Sequence, residues 1–142
     1  MSLTESQRAF LENNRSAAMI TIAKDGTPRA VRVGVALVDG KLWSSGTQDR
    51  IRTARLRRDP LCTLFVFDTK YSFLTLETTV NILDDDNAPE LNLRLMRVMQ
   101  NRPEGPLNWF GQELNTEAFL QTMIEQQRLV YEFQISRAYG MV

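Results

Sequence analysis

Apolar and polar residues alternate along several segments of the chain, a pattern typical of β-strands with one buried face. Alternation predicts strands over residues 30–38, 74–82 and 129–135. In the first of these, four apolar residues share one face: Val31, Val33, Val35 and Leu37. Residues 17–23 and 41–45 are also predicted as strands from their composition and flanking turns. Residues 61–67 are continuously apolar, which predicts a strand buried on both faces.

Turn residues separate the first three strands. Asp25-Gly26 and Asp39-Gly40 are typical of tight hairpin turns, which require antiparallel neighbours. The other strands lie far enough apart along the chain for helices or longer loops to connect them.

Four helices are predicted between and before the strands. Thr4 and Gln7 form a capping box for a helix that ends near Asn13, and Asp49 is expected to cap a helix running to Arg58. A third helix begins at Pro89, because proline suits the first helical position. Asn115 or Thr116 caps a fourth helix, with three residues predicted to face inward: Phe119, Met123 and Ile124. Residues 102–111 are predicted to be a loop.

The order of elements predicts a mainly β fold with flanking helices. Six strands are too many for one flat exposed sheet in 142 residues, so closure into a small antiparallel barrel is expected. The length and the lack of a linker-like segment predict a single domain over residues 1–142.

Composition narrows the possible chemistry. The chain has no histidine and one cysteine, which excludes Ser-His-Asp and Cys-His catalysis and makes a metal site unexpected. Seventeen basic and seventeen acidic residues balance, so a nucleic-acid partner is not expected. No long apolar run or secretion signal is present, and the expected location is cytoplasmic, without membrane contact.

The main local charge signal is an arginine cluster after the third predicted strand. It consists of Arg50, Arg52, Arg55, Arg57 and Arg58. Helical spacing places Arg52 and Arg55 on one face, and Arg50 and Arg57 on another. A hydroxyl-rich strand end precedes the cluster: Ser44, Ser45, Gly46 and Thr47. Backbone N–H groups, hydroxyls and guanidinium groups in this order favour binding of a phosphate monoester.

The same arginines have a simpler interpretation. A helix face rich in arginine is also typical of solvent-exposed ion pairs with acids such as Asp49, Asp59 and the run from Asp84 to Asp86. For Arg57 and Arg58, near the helix end, both interpretations stay open. For Arg50 and Arg52, beside the Ser/Thr-rich strand end, phosphate binding is favoured.

Several segments resemble those of a known family. They are residues 25–28 (Asp-Gly-Thr-Pro), the Asp39-Gly40 turn, residues 52–60 (Arg-Thr-Ala-Arg-Leu-Arg-Arg-Asp-Pro) and residues 137–140 (Arg-Ala-Tyr-Gly). In their order and spacing they resemble the pyridoxamine-phosphate-oxidase-like split barrels. Within that family the chain is most similar to the actinobacterial deazaflavin (coenzyme F-420)-dependent reductases.

This resemblance implies a six-stranded antiparallel split β-barrel that forms a homodimer, with FMN or coenzyme F-420 bound in a groove at the subunit interface. Family members hold the cofactor phosphate with an Arg-Lys pair at the start of the helix. Here Arg52 stands at the lysine position, Ile51 at the arginine position, and Arg50 lies one residue earlier. Arg55 replaces the usual asparagine. The carboxy-terminal substrate segment of true pyridoxamine phosphate oxidases is not recognisable, so that activity is not expected.

Three further candidates have two interpretations each. Tyr71 either donates a proton to substrate or only caps the barrel. Trp109, with Phe110, either covers the cofactor ring system or anchors the two carboxy-terminal helices. Arg32 either reaches the cofactor groove or only faces outward from its strand. Cys62 is expected to be a small core residue.

The resulting hypothesis is hydride transfer from reduced coenzyme F-420 to a small or medium conjugated organic acceptor. The cofactor-binding candidates are Arg50, Arg52, Arg55, Arg32, Ser44, Ser45, Gly46, Thr47 and Trp109. An FMN-dependent oxidoreductase of the same fold is one alternative. A non-catalytic module that binds a flavin-type cofactor is the other.

Overall fold

The structure, a computed structural model, describes residues 2–142. The helices in this range are α1 (Glu5–Asn13), α2 (Ile51–Arg58), α3 (Ala88–Gln100) and α4 (Thr116–Glu125). The strands are β1 (Ser16–Ile22), β2 (Pro28–Gly34), β3 (Ala36–Val38), β4 (Lys41–Thr47), β5 (Leu61–Phe67), β6 (Phe73–Leu83), β7 (Leu107–Trp109), β8 (Gln112–Leu114) and β9 (Arg128–Met141). The capping box at the start of α1 is confirmed, since Thr4 and Gln7 exchange side-chain to backbone hydrogen bonds.

Seven strands form one antiparallel sheet in the order β2-β1-β5-β6-β9-β4-β3. Although β2 and β3 are consecutive in the chain, they lie at opposite edges of this sheet. The two ends of the sheet nevertheless approach each other. Ser44 Oγ on β4, the strand next to the edge strand β3, donates a hydrogen bond to the Gly34 carbonyl on β2 (2.6 Å). The sheet is therefore curled into a half-barrel with a split between β2 and β4. The predicted fold class, a mainly β split barrel with flanking helices, is confirmed.

The interior of the curled sheet is the main core. It contains Leu11, Met19, Leu64, Leu76, Leu129 and Tyr131, all fully buried. On the outer side of β3, β4 and β9, helix α3 packs through Leu95 against Trp43 and Val130. Helix α4 and the β7–β8 hairpin form a third cluster around Phe119. Helices thus cover one part of the sheet and leave the outer face of β1, β5 and β6 uncovered.

The predicted strand over residues 30–38 is wrong as a single element. The chain leaves β2 at Val35, whose N–H donates to the Arg15 carbonyl (2.8 Å), and continues as β3 at the other edge. The crossing passes beneath α3, where a Cβ on Gly34 would meet the flexible end of the Met99 side chain. Of the three valines, Val31 is exposed, whereas Val33 and Val35 are buried.

Three other expectations are corrected. The predicted loop over residues 102–111 ends in the β7–β8 hairpin, whose turn places Phe110 and Gly111 at positive φ (50° and 86°). Strand β5 is buried on one face only, because alternate residues face outward from the sheet. Ile124 lies on the exposed side of α4, while Phe119 and Met123 are fully buried as expected.

Candidate functional site

The end of β4 leads directly into α2, and the local hydrogen bonds leave the helix start without a side-chain cap. Thr47 Oγ1 donates to the Asp49 carboxylate (2.6 Å), and this bond lowers the pKa of Asp49. Arg50, not Asp49, is the N-cap residue, and its side chain caps no backbone N–H. The prediction that Asp49 caps the helix is therefore wrong. The positive end of α2 is left open towards an anion.

A cavity of about 900 Å³ opens at this helix start, and we call it the arginine cavity. Its basic lining residues are Arg29, Arg50, Arg52, Arg55 and Arg128. Within residues 2–142, none of these five arginines makes an ion pair with a carboxylate. Asp49 and Glu125 are the acidic residues in the lining. The surplus of positive charge makes this cavity suited to a polyanionic ligand.

Arg128, at the start of β9, is the site residue that the sequence analysis missed. It lies opposite Thr47 in the β4–β9 pairing, so no nearby sequence pattern links it to the cluster. Burial lowers the pKa of Arg128, and the charges of Arg50 and Arg52 lower it further. Its Nε donates to Gln126 (2.9 Å), and its guanidinium lies over the Trp109 ring, 5.0 Å from the centroid. Three mutually repelling guanidinium groups are thus held together by the fold.

Arg52 is half-buried beside Tyr131, with its guanidinium carbon 5.9 Å from the ring centroid. Its Nε is buried and has no hydrogen-bond acceptor within residues 2–142. Arg50 and Arg52 line both the arginine cavity and a second one described below, whereas Ile51 between them lines only the arginine cavity and is 71% exposed. At the start of α2 the guanidinium groups therefore come from positions 50 and 52.

A second cavity of about 410 Å³ lies at the split between β2 and β4, and we call it the aromatic cavity. Met96 and Met99 of α3 and Trp109 and Phe110 of the β7–β8 hairpin form its apolar side. Its polar lining comes from Ser16, Arg32, Ser44 and Ser45, together with three arginines shared with the arginine cavity: Arg50, Arg52 and Arg128. These three arginines therefore lie between the arginine cavity, which is polar, and the aromatic cavity, whose apolar side suits a planar ring.

The Ser/Thr-rich end of β4 divides between structural and cavity-lining roles. Ser44 is buried and its hydroxyl is used by the Gly34 carbonyl, whereas Ser45 is partly exposed beside α3. Thr47 lines the arginine cavity. Gly46 lines neither cavity, and a Cβ there would overlap the buried Tyr131 ring. Glycine at position 46 is thus required by packing.

The remaining arginines of the cluster separate into two groups. Arg55 lines the arginine cavity, while Arg57 pairs with Asp84 (2.8 Å) and Gln48 on the other side of α2. Arg58 donates to the Ile22 carbonyl. The expectation that Arg50 and Arg57 share a face is wrong, because Arg50 precedes the first helical turn. For Arg57 the ion-pair interpretation is confirmed.

Arg32 and Trp109 both line the aromatic cavity. Arg32 lies on the wall of the aromatic cavity, where its Nη2 donates to Ser16 Oγ (3.1 Å). Trp109 packs edge-to-face against Phe119 of α4 (5.6 Å between centroids) and also lines the aromatic cavity. It therefore anchors the late helices and presents a surface to the cavity.

Tyr71 and Cys62 lie outside both cavities. Tyr71 is 88% exposed in the turn between β5 and β6 and lines neither of them. Cys62 is buried as expected, and burial raises the pKa of its thiol to about 12. Among residues 2–142 no group of three or more potential ligand side chains could hold a metal ion. Over the same residues, no helix combines the length and apolar character needed to cross a membrane.

The curled antiparallel sheet, its flanking helices and the cavities at its split edge define a split-barrel protein of the flavin-binding type. The chain belongs to the pyridoxamine 5'-phosphate oxidase family, whose sequence model matches residues 3–139. This match covers nearly the whole chain and confirms the family resemblance. The fold shared by this family binds flavin-type cofactors.

Solved structures with the same fold have diverse descriptions. A conserved hypothetical protein from Mycobacterium tuberculosis is 20% identical, with a TM-score of 0.73 over 99% of this chain and 86% of that one. An F420 reductase is 18% identical, with a TM-score of 0.68 over 96% and 98% of the two chains. HutZ, a heme storage protein from Vibrio cholerae, is 13% identical, with a TM-score of 0.68 over 99% and 96%. These similarities establish the fold alone.

Proposed function

We propose that this protein is a reductase that passes hydride from reduced coenzyme F-420 to a small or medium conjugated organic acceptor. The observation that carries the proposal is the position of Arg50, Arg52 and Arg128, which lie between the two cavities without carboxylate partners. A phosphate group needs such charge, and a ring needs the aromatic cavity beside it.

The residues present fit a flavin-type cofactor. The buried Nε of Arg52 lacks an acceptor, and a phosphate oxygen would supply one. The open start of α2 adds backbone N–H groups with the same preference for an anion. On the other side of the arginines, Met96, Met99 and Trp109 offer apolar surface for ring stacking. The same side chains would exclude water from the ring.

The choice of coenzyme F-420 over FMN depends on the excess of positive charge. One phosphate monoester carries about two negative charges at neutral pH, whereas five arginines line the arginine cavity. Arg29 and Arg55 exceed what that single group needs, and the oligoglutamate tail of F-420 would use them. The fold similarity to an F420 reductase supports the same choice.

In this proposal the cofactor carries out the redox chemistry, and the protein provides the binding site. When bound, a reduced deazaflavin supplies the hydride, and the chain binds, orients and desolvates the reactants. The guanidinium groups neutralise the phosphate and the tail. Phe110, 83% exposed at the tip of the β7–β8 hairpin, is placed to contact an acceptor at the mouth of the aromatic cavity.

We also propose that the protein is a homodimer joined through the outer face of β5, β6 and the end of β9. Cross-strand pairing aligns Phe67, Phe73 and Met141 in one row on this face, and Phe65 stacks on Phe73. The sequence of β5 is apolar on both faces, but a single chain covers only one of them. A second copy would cover the other.

Binding and turnover measurements on the purified protein test the proposed function. We expect coenzyme F-420 to bind more tightly than FMN, and we expect a panel of enones and quinones to contain an acceptor that oxidises the reduced coenzyme. Tighter binding of FMN would transfer the proposal to an FMN-dependent oxidoreductase. Tight F-420 binding without any productive acceptor would favour a non-catalytic cofactor-binding module.

A further inference from the structure

Ser45 and Asn92 form a hydrogen-bonded pair at the wall of the aromatic cavity. Asn92 on α3 is completely buried, and its Nδ2 donates to the Ala88 carbonyl (3.0 Å) and the Leu129 carbonyl (3.4 Å). These two carbonyls can only accept, so they fix the orientation of the amide. Asn92 Oδ1 is therefore the atom that faces Ser45, and it acts as an acceptor.

The orientation of the Asn92 amide determines in which hydrogen bonds the Ser45 hydroxyl donates and in which it accepts. Ser45 Oγ lies 2.5 Å from Asn92 Oδ1 and must donate its one proton to it. Only the lone pairs of Ser45 Oγ then remain for other partners. Because Ser45 is partly exposed and lines the aromatic cavity, it offers a hydrogen-bond acceptor to a ligand there.

Other polar groups around this cavity are hydrogen-bond donors. Arg52 carries a buried Nε–H without an acceptor, and Trp109 carries a buried Nε1–H in the same state within residues 2–142. Ser16 accepts a hydrogen bond from Arg32 and so keeps its own proton to donate. The cavity thus combines one fixed acceptor with several donors.

We propose that Ser45 selects a ligand ring with an imide edge, in which one N–H lies between two carbonyl groups. Ser45 Oγ accepts from the ring N–H, and the donor groups of the cavity serve the carbonyl oxygens. Asn92 is the positioning residue that keeps the Ser45 lone pairs directed to the ligand. This inference rests on the proposed function, since the pyrimidine ring of deazaflavins and flavins has this edge at N3.

Methylation of N3 tests the inference directly, because it removes the N–H and leaves the phosphate and tail intact. The probes are coenzyme F-420, FMN and the N3-methyl derivative of each, and the readout is equilibrium affinity rather than turnover. For the wild-type protein we expect methylation to weaken binding by at least about ten-fold, through the lost hydrogen bond and the added bulk.

In Ser45→Ala, the unmethylated cofactor should bind about five- to ten-fold more weakly, and the methylated one should bind at least as well as to the wild type. The ratio of the two affinities should fall to within about two-fold. Asn92→Ala should lower the ratio in the same direction, since it releases the Ser45 proton. Ser136→Ala, which removes an exposed hydroxyl that lines neither cavity, should leave the ratio unchanged.

The outcomes separate this inference from the proposed function. If unmethylated cofactor binds but Ser45→Ala keeps the wild-type ratio, the role of Ser45 is wrong and the proposed function stands. An unchanged ratio in Asn92→Ala alone would remove the positioning role of Asn92. If neither F-420 nor FMN binds to the wild-type protein, both proposals are overturned.

Discussion

Thr53 on α2 and Tyr131 on β9 are joined by a hydrogen bond inside the barrel. Thr53 Oγ1 donates its own proton to the Thr47 carbonyl of β4 (2.8 Å), so the Tyr131 hydroxyl is the donor to Thr53. This chain of bonds connects α2, which carries Arg52, to β9, which carries Arg128, and to the end of β4, from which the chain passes through Arg50 into α2. This connection helps to hold the like-charged groups together, in addition to the attraction that the nearby Asp49 carboxylate exerts on Arg50 and Arg128.

Removing the Tyr131 hydroxyl should weaken that connection. We expect Tyr131→Phe to lower the free energy of unfolding by about 1 kcal/mol, the usual contribution of one intramolecular hydrogen bond. Urea denaturation measures this change. Tyr139→Phe is the matched control, because Tyr139 is exposed and should change the free energy of unfolding by less than about 0.5 kcal/mol. Equal effects of the two substitutions would contradict the role given to Tyr131.

Like-charge repulsion at the site should make the ligand-free protein more stable when one charge is removed. We expect Arg50→Gln to raise the free energy of unfolding by about 0.2–1 kcal/mol at low ionic strength. The gain should shrink in about 1 M salt, where screening acts over about 3 Å. Destabilisation by Arg50→Gln at low salt would contradict net repulsion at the site and show that the attraction between Arg50 and Asp49 dominates.

Cys62 should make stability fall at alkaline pH. An unfolded thiol has a pKa of about 8.5, whereas burial raises the pKa of Cys62 to about 12 in the folded protein. The unfolded chain therefore ionises first as the pH rises. The contribution of the Cys62 thiol to the free energy of unfolding is therefore complete below a pH of about 8.5. It is lost as the pH rises towards 12, by at most about 1.4 kcal/mol per pH unit.

Denaturation of the wild type and Cys62→Ala across this pH range isolates the thiol, since tyrosine and lysine titrate in both proteins. The stability difference between them should narrow as the pH rises above about 8.5. A difference that stays constant up to pH 11 or so would contradict the raised pKa of Cys62.

The uncovered sheet face should control oligomeric state. We expect Phe67→Lys to shift the protein from dimer to monomer, because it places a charge within the apolar row of Phe67, Phe73 and Met141. Sedimentation velocity measures the change. Tyr71→Lys is the matched control, since Tyr71 lies in the adjacent turn and is highly exposed. A wild-type protein that sediments as a monomer would overturn the dimer proposal.

Local sequence patterns predicted most of the helices and strands. The features that the sequence analysis did not predict depend on contacts between distant residues or lie in very short strands. The capping box at Thr4 and the alternation in β6 and β9 were sufficient because each depends on neighbouring residues. The break at Val35 involves a hydrogen bond to the Arg15 carbonyl, which is distant in sequence. Three-residue strands such as β7 and β8 are too short to show a period of two.

The candidate site, like the fold, was predicted from the sequence only where its residues are close together in the chain. Arg50, Arg52 and Arg55 share a local sequence and were found together in the arginine cavity. Arg128 joins them only because β4 pairs with β9, a register that no sequence motif shows. The polarity of Ser45 likewise depends on Asn92, 47 positions along the chain.

The central claim is that Arg52 binds the phosphate group of the cofactor. Its most direct test is the affinity of Arg52→Ala for coenzyme F-420 and for the ribityl deazaflavin that lacks the phosphate and tail, with Arg57→Ala as the control on the same helix. We expect Arg52→Ala to lose about 1.5–3 kcal/mol of binding free energy for intact F-420 and almost none for the ribityl deazaflavin, while Arg57→Ala changes neither. An equal loss for both ligands in Arg52→Ala, or no loss for either, would contradict the claim.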